Sequence, residues 1–318
     1  MEDPKLVSER ILENINRVII GKEYEIQLAL IALLCRGHLL IEDVPGVGKT
    51  MLARALATSV GCQLSRIQFT PDLLPTDVTG VSIYRQESGG FEFRAGPIMA
   101  EVVLADEVNR ATPKTQSALL EAMEEDQVTI DGITHPLPKP FMVMATQNPI
   151  EYEATYALPE AQLDRFMLKI VIDYPTQAEG REILDASLNY DFRMVERKIN
   201  IDSLNKLCDI VRKIVIDESI MEYILRIVHA SRNPSEYGLS SIEPMIDYGA
   251  SPRAATFLAK GSQALAFLNG REYVTPDDVK ALAPDVLRHR LVTSYEADAA
   301  QITVEELIRT LLEHVNIA

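Results

Sequence analysis

The sequence has little with which to build a cross-linked or metal-held scaffold. Its three cysteines, Cys35, Cys62 and Cys208, are odd in number and far apart, with no Cys-x-x-Cys pair. That spacing argues against both a disulfide framework and a zinc site. The five histidines are scattered and no His-Glu-x-x-His occurs, so no structural metal is expected. Basic residues are also short: 31 Lys and Arg stand against 47 Asp and Glu, a formal net charge of −16 over 318 residues. An acidic chain without a long Lys/Arg run repels phosphate backbones, which disfavours nucleic acid as a main partner. The longest strongly apolar stretch, 28–35, is far short of the ~20 residues that span a bilayer. Met1-Glu2-Asp3 lacks the basic-then-apolar layout of a signal peptide, and the expected location is cytoplasmic. Internal repeats and low-complexity tails are absent too.

What is present is the mixture of a globular protein, 47% hydrophobic and 25% charged, which excludes intrinsic disorder. The length suggests two domains. Residues 4–35 read as helix, interrupted near Val18-Ile19-Ile20-Gly21. Apolar runs at 38–41, 64–69, 101–105, 141–145 and 166–172 alternate with helical patterns, predicting a mostly parallel sheet covered on both faces. Two segments break the alternation. Residues 82–93 carry Gly89-Gly90, and 127–137 carry Asp131-Gly132, between β-rich runs; both read as hairpins. Beyond Tyr174-Pro175 the periodicities are helical, at 183–188, 201–215, 218–231, 253–268, 276–288 and 304–315. The expected organisation is an α/β core over 1–175 and a helical domain over 176–318, with a Pro/Ser/Gly-rich loop at 233–252.

The sharpest chemical signal is Asp43-Val44-Pro45-Gly46-Val47-Gly48-Lys49-Thr50, between a predicted strand and a predicted helix. Strand, glycine-containing loop and helix start are the context of a phosphate loop. Gly46 and Gly48 let backbone N–H groups converge on phosphate oxygens. Lys49 would meet the β/γ phosphates, and the Thr50 hydroxyl would ligate Mg²⁺. Pro45, Val47 and Met51 complete the candidate nucleotide contacts. Asp43 stands where the usual pattern begins with glycine, and Asp tolerates left-handed backbone better than most residues.

Some 50 residues on, the apolar strand Val102-Val103-Leu104-Ala105 ends in Asp106-Glu107. Asp106 could reach the Mg²⁺ shell through water, and Glu107 could orient or deprotonate the attacking water. Read alone, such a pair is equally a solvated strand end. Asn148, closing the run 141–148, could bond the nucleophilic water or the γ-phosphate, or simply turn the chain before Pro149.

In order along the chain, these pieces resemble the AAA+ ATPases and, within them, the MoxR family. The resemblance rests on 42–50, on Leu104-Ala105-Asp106-Glu107-Val108-Asn109-Arg110, on Ala145-Thr146-Gln147-Asn148-Pro149, on 158–166 and on Gly249-Ala250-Ser251-Pro252-Arg253. It implies a P-loop NTPase fold with a C-terminal all-α lid, ATP and Mg²⁺ as ligands, and roles that spacing cannot assign. Arg165 matches the arginine finger that reaches a neighbouring subunit's γ-phosphate, Arg253 the sensor-2 arginine, and Asn148 sensor 1. Val18 and Ile19 fall where the family packs adenine. The two hairpins match inserts that face the pore or substrate side of related rings. Without the resemblance, Arg165 reads as the partner of a nearby acid and Arg253 as a helix-capping residue.

The family implies a ring, usually hexameric, that remodels a protein client or assists cofactor or metal insertion. It also implies a partner carrying a von Willebrand factor A domain; its Asp-x-Ser-x-Ser motif is missing here, so that domain would lie on another chain. A nucleotide-switched binding module with little turnover is the competing reading, disfavoured by an intact Glu107 and Arg165. A nucleic-acid motor of the related helix-2-insert group is disfavoured by the charge. A GTPase is disfavoured because no Asn/Thr-Lys-x-Asp occurs.

Overall fold

A computed structural model describes residues 4–43, 48–87, 89–148, 156–188 and 195–317. The chain forms two compact units, Met1–Leu158 with Ile170–Lys206, and Pro159–Lys169 with Leu207–Ala318. The units interleave, whereas the change in sequence character places a single break near residue 175.

The first unit is built on a five-stranded sheet. Its strands are β1 (Leu39–Asp43), β2 (Leu64–Gln68), β5 (Val102–Asp106), β8 (Met142–Gln147) and β9 (Leu168–Ile172), in the order β2-β5-β8-β1-β9. All five strands expected from the apolar runs are present. The pairs β2/β5, β5/β8 and β8/β1 are parallel. Every residue of β5 is buried, as are the first five of β8. Only an unbroken apolar run suits a central strand covered on both faces. The outer strand β2 is polar at Ser65, Arg66 and Gln68, with Ile67 buried.

Helices α1 (Pro4–Asn16), α2 (Glu23–Leu34) and α3 (Lys49–Val60) are the first three of the chain. α2 buries every residue from Leu28 to Leu34, the signature of a helix enclosed on all sides. Between α1 and α2, Gly21 takes φ +70° with Glu179 so close that a Cβ would overlap its carboxylate; only glycine fits that turn. Short α4 (Pro75–Thr79) leads into the hairpin β3 (Gly80–Arg85) and β4 (Gly90–Ala95). α5 (Pro113–Glu125) leads into the hairpin β6 (Gln127–Ile130) and β7 (Ile133–Pro136), turned by Asp131 and Gly132, both at positive φ. The stacked rings of Phe93 and His135, 3.8 Å apart, join the two hairpins.

The second unit begins with α6 (Glu160–Leu163). Next in the chain come α7 (Gln177–Leu188), which lies within the first unit, and α8 (Ile201–Val211), whose last residues enter the second. The second unit then continues through α9 (Glu218–Arg232), α10 (Pro252–Leu268), α11 (Pro276–Leu287), α12 (Tyr295–Ala300) and α13 (Val304–His314). Its helix starts are written in the sequence. Asp217 and Ser251 cap α9 and α10 with their side chains, and Thr275 with Asp278 and Thr303 with Glu306 form capping boxes, satisfying otherwise unpaired N–H groups. The loop at 233–252 holds two 3-10 turns and β10 (Ile246–Tyr248), which pairs antiparallel with β11 (Val292–Thr293). Strands of three and two residues are too short to show an alternation, so only the tertiary structure reveals this pair.

Candidate active site

The parallel registers bring three strand ends to one edge of the sheet. Ala105 of β5 lies opposite Ala145 of β8, and Glu42 of β1 opposite Gln147 of β8. The crevice outside the carboxyl ends of parallel strands is where open α/β sheets bind ligands. The chain leaving β1 enters α3 through Gly48, whose φ of +92° is left-handed and whose missing Cβ leaves open space. α3 therefore points its N-terminus, the positive end of its dipole, at this edge. Pro45, Gly46 and Val47 lie outside the described residues, so the loop's own geometry rests on its sequence.

Lys49, Thr50 and Met51 are the first three residues of α3; Lys49 and Thr50 are half-buried and Met51 is exposed. Lys49 Nζ stands 3.1 Å from Oδ1 of Asp106, the last residue of β5. The other carboxylate oxygen, Oδ2, accepts from Arg66 Nη2 at 2.7 Å and Nε at 3.2 Å. Burial by itself would raise the Asp106 pKa, but hydrogen bonds from Arg66, Thr146 and Lys49 outweigh it and hold the carboxyl below the usual range. Asp106 is thus an anion at neutral pH, as a ligand of a hard cation must be.

Thr146 organises the pair. Wholly buried on β8, its hydroxyl donates to Asp106 Oδ1 at 2.8 Å and accepts from the Glu107 backbone N–H at 2.8 Å. Glu107 itself sits in left-handed backbone, φ +57° and ψ +50°, a conformation a non-glycine residue keeps only where its surroundings impose it. Its Oε2 accepts from Gln68 Nε2 and from Arg110 Nη1, both at 2.8 Å. Asn148 follows the end of β8 and is 7% exposed. It is two residues beyond Thr146, on the same side of the strand by alternation.

Val18 and Ile19 lie in the turn after α1, half-buried, their N–H groups bonded to the Ile15 carbonyl at 2.9 and 3.0 Å. Two half-covered apolar side chains at a fixed turn suit a flat ring. Arg165 and Arg253 belong to the second unit. Arg165 lies in the turn after α6, and Arg253 is the second residue of α10. The cap of α10 is Ser251 rather than Arg253: the Arg253 N–H donates to the Ser251 hydroxyl at 3.1 Å, and the Arg253 guanidinium lies 3.7 Å from Asp164.

The donor set fits a Mg²⁺–nucleotide. Among the described residues no group of three His, Cys, Asp or Glu side chains could hold a metal by itself. One buried carboxylate and one hydroxyl at a helix N-terminus are what Mg²⁺ takes from a protein when phosphates and water supply its other ligands.

Sequence reasoning missed Thr146, Arg66, Gln68 and Arg110. Thr146 left a trace, being the one hydroxyl in a strand that is apolar up to it. Arg66 and Gln68 left none, because their importance comes from register: Gln68 lies opposite Asp106, and Arg66 shares its face two residues back.

Comparison with known proteins agrees with this fold. Residues 38–168 match the ATPase family associated with various cellular activities (AAA), and 239–311 match the AAA lid domain. The protein YeaC of Bacillus subtilis is 49% identical, covering 99% of this chain and 96% of its own. Chaperone MoxR1 of Mycobacterium tuberculosis is 44% identical, covering 96% of this chain and 81% of its own. A crystal structure from Cytophaga hutchinsonii superimposes with a TM-score of 0.93 at 43% identity, covering 99% of this chain and 96% of that one.

Proposed function

The chain belongs to the MoxR family of AAA+ ATPases, and from that membership we propose that it hydrolyses ATP to ADP and phosphate at a site completed by a neighbouring copy of itself. The observation that carries the reading is the chain of contacts Lys49–Asp106–Thr146–Glu107 at the N-terminus of α3. It supports the reading because a lysine and two carboxylate residues, the groups such chemistry needs, belong to one hydrogen-bonded unit.

Each residue then has a task. The N-terminus of α3 and Lys49 bind the phosphates, Lys49 exchanging its ion pair with Asp106 for one with phosphate. Thr50, and Asp106 through water, would hold Mg²⁺, which would supply positive charge to the phosphates. Glu107 takes the proton of the attacking water, its Oε2 being the oxygen that Gln68 and Arg110 hold. Asn148 orients that water or the γ-phosphate, and Val18 and Ile19 pack the adenine. Arg165 reaches the γ-phosphate of the neighbouring subunit, an interaction worth ~10³–10⁵ in rate in related phosphoryl-transfer sites. Arg253 follows the nucleotide state from the lid. Hydrolysis therefore depends on assembly, for which a hexameric ring in the cytoplasm is the family expectation.

The work done is remodelling of a protein partner or assistance to cofactor or metal insertion, with a von Willebrand factor A-domain protein as the expected partner. Exposed apolar residues on the hairpins support a protein client. Phe91 is 76% exposed, Ile133 62% and Tyr84 55%. Among the described residues no helix is long and apolar enough to cross a membrane. The second reading, a nucleotide-switched module with little turnover, is favoured by one feature: Gln68 and Arg110 both occupy Glu107.

Mixing Arg165→Ala subunits, whose own sites are intact, with Glu107→Gln subunits, whose fingers are intact, tests the main proposal. Recovery of Mg²⁺-dependent ATPase activity, absent from either variant alone, is expected. No recovery in demonstrably mixed assemblies would refute a finger acting between subunits.

A further inference from the structure

Arg165 sits in a segment whose backbone is gripped from the turn after α11, where His289 Nε2 lies 3.1 Å from the Phe166 carbonyl and Arg290 makes the larger set of contacts. Arg290, in the turn after α11, is 6% exposed. Its Nε donates to Asp164 Oδ1 at 2.8 Å, and its Nη2 donates to the carbonyls of Asp164 at 2.8 Å and Phe166 at 2.6 Å. Nη1 reaches the Met167 carbonyl at 3.4 Å and the Val286 carbonyl. The Phe257 ring of α10 lies against the guanidinium, its centroid 5.0 Å from Cζ. One nitrogen thus holds the peptide carbonyls on both sides of Arg165. Asp164 is further bonded through both oxygens by the Ser251 hydroxyl at 2.9 Å.

This is a costly way to fill a core. Burying a guanidinium is unfavourable, and apolar residues of similar volume often serve stability as well or better. Burial lowers the Arg290 pKa to about 10, still protonated at neutral pH. The neighbouring His289 is buried, and burial followed by the charge of Arg290 holds its pKa well down, so it adds no second cation. What an apolar residue cannot supply is a planar fork that fixes a carboxylate and two flanking carbonyls together.

We propose that Arg290 is the positioning residue for Arg165, fixing the backbone on both sides of it so that the finger is presented to the neighbouring subunit from a rigid support. The inference rests on the reading of Arg165 as a finger acting between subunits. A finger on a loose loop loses rate because a displacement of about 1 Å can cost on the order of 10²-fold.

The test uses full-length subunits in mixed assemblies. Arg165→Ala subunits act as acceptors, and Glu107→Gln subunits, which cannot turn over, act as donors. Three donors are compared: Glu107→Gln alone, with Arg290→Lys added, and with Asp164→Asn added. Arg290→Lys keeps the charge and loses the fork, and should lower donation by on the order of 100-fold. Asp164→Asn keeps an acceptor for Arg290 Nε and should lower donation about tenfold. In the reciprocal arm, Arg165→Ala/Arg290→Lys acceptors should bind a fluorescent ATP analogue like the parent. With Glu107→Gln donors they should turn over within about twofold of it.

A merely structural role would harm acceptor and donor alike, and equal defects would overturn the proposal. So would undiminished donation by Arg290→Lys, with the finger reading left standing. Failure of the Glu107→Gln donor itself would instead remove the finger reading and this inference with it. Should Arg290→Lys not fold, Asp164→Asn decides: undiminished donation refutes.

Discussion

Replacing Thr146 by Val removes one oxygen and almost no volume, so its consequences follow from hydrogen bonds alone. Two are lost: the donation to Asp106 Oδ1 and the acceptance from the Glu107 N–H, both at 2.8 Å in a buried setting. A hydrogen bond to a charged group contributes about 1.5–3 kcal/mol, and a buried N–H left unpaired costs about 1–3 kcal/mol. Asp106 keeps Lys49 and Arg66, and the Glu107 side chain is 22% exposed so that water is near. The lower ends apply, giving a loss of about 2.5–4 kcal/mol. For a unit of this size that lowers the melting temperature by about 5–15 °C. Freed of its bond to Thr146, Glu107 leaves its left-handed backbone, and turnover should fall by on the order of 10²-fold. Nucleotide affinity should change little, because Lys49 and the α3 N-terminus are untouched. Thr146→Ser, which restores the hydroxyl, should recover most of both losses. The assay is Mg²⁺-dependent turnover and ATP-analogue binding, with thermal unfolding in parallel. Turnover within twofold of the parent and an unchanged melting temperature would refute the role given to Thr146.

Other predictions test separate parts. Lys49→Ala should weaken ATP-analogue binding by on the order of 100-fold or more, because a charged phosphate contact is lost; equal affinity would remove the phosphate site. His38 is buried, its two ring nitrogens bonded to the Met123 carbonyl and the Val143 N–H at 3.0 and 3.1 Å, and burial lowers its pKa. His289 is shifted the same way. Both therefore resist protonation in the fold more than in the unfolded chain. Their contribution is complete above the unfolded value of 6.5 and is lost as pH falls from there toward the lowered folded values, because the unfolded chain then binds more protons than the fold. Urea unfolding at pH 7.5, 6 and 5 should show that decline, and a flat profile would refute it. Arg271→Met should destabilise the helical unit by about 3 kcal/mol in denaturant titrations, because Asp278, 3% exposed, loses the guanidinium now 2.7 Å from its Oδ2. No change would mean that Thr275 alone satisfies that carboxylate.

Much of this protein is legible before folding. The central strands β5 and β8 announce themselves because strands buried on both faces must be almost continuously apolar. The hairpin at Asp131-Gly132 shows because the turn needs positive φ. Gly48, Lys49 and Thr50 show because a phosphate loop needs bare backbone, a cation and a hydroxyl in immediate succession. These are local demands, met by neighbouring residues. The resemblance to MoxR proteins extends that legibility to Arg165 and Arg253, which no local rule distinguishes from surface or capping arginines.

The strand order, and with it the company each side chain keeps, is decided elsewhere. Thr146 meets Asp106 and Glu107 from a distance of some 40 residues, and Arg66 and Gln68 meet the same two carboxylates from the far side. Both encounters are set by the registers of β2, β5 and β8. Arg290 reaches Asp164 across 126 residues, placed there by the packing of the helical unit. The sequence alone determined the strands, the helix starts and the phosphate-loop signature, because each depends on residues within a turn or two of one another. Which residues hold the two carboxylates and the backbone beside Arg165 became visible in the folded chain alone, because hydrogen bonds between distant segments follow register and packing, which leave no local pattern.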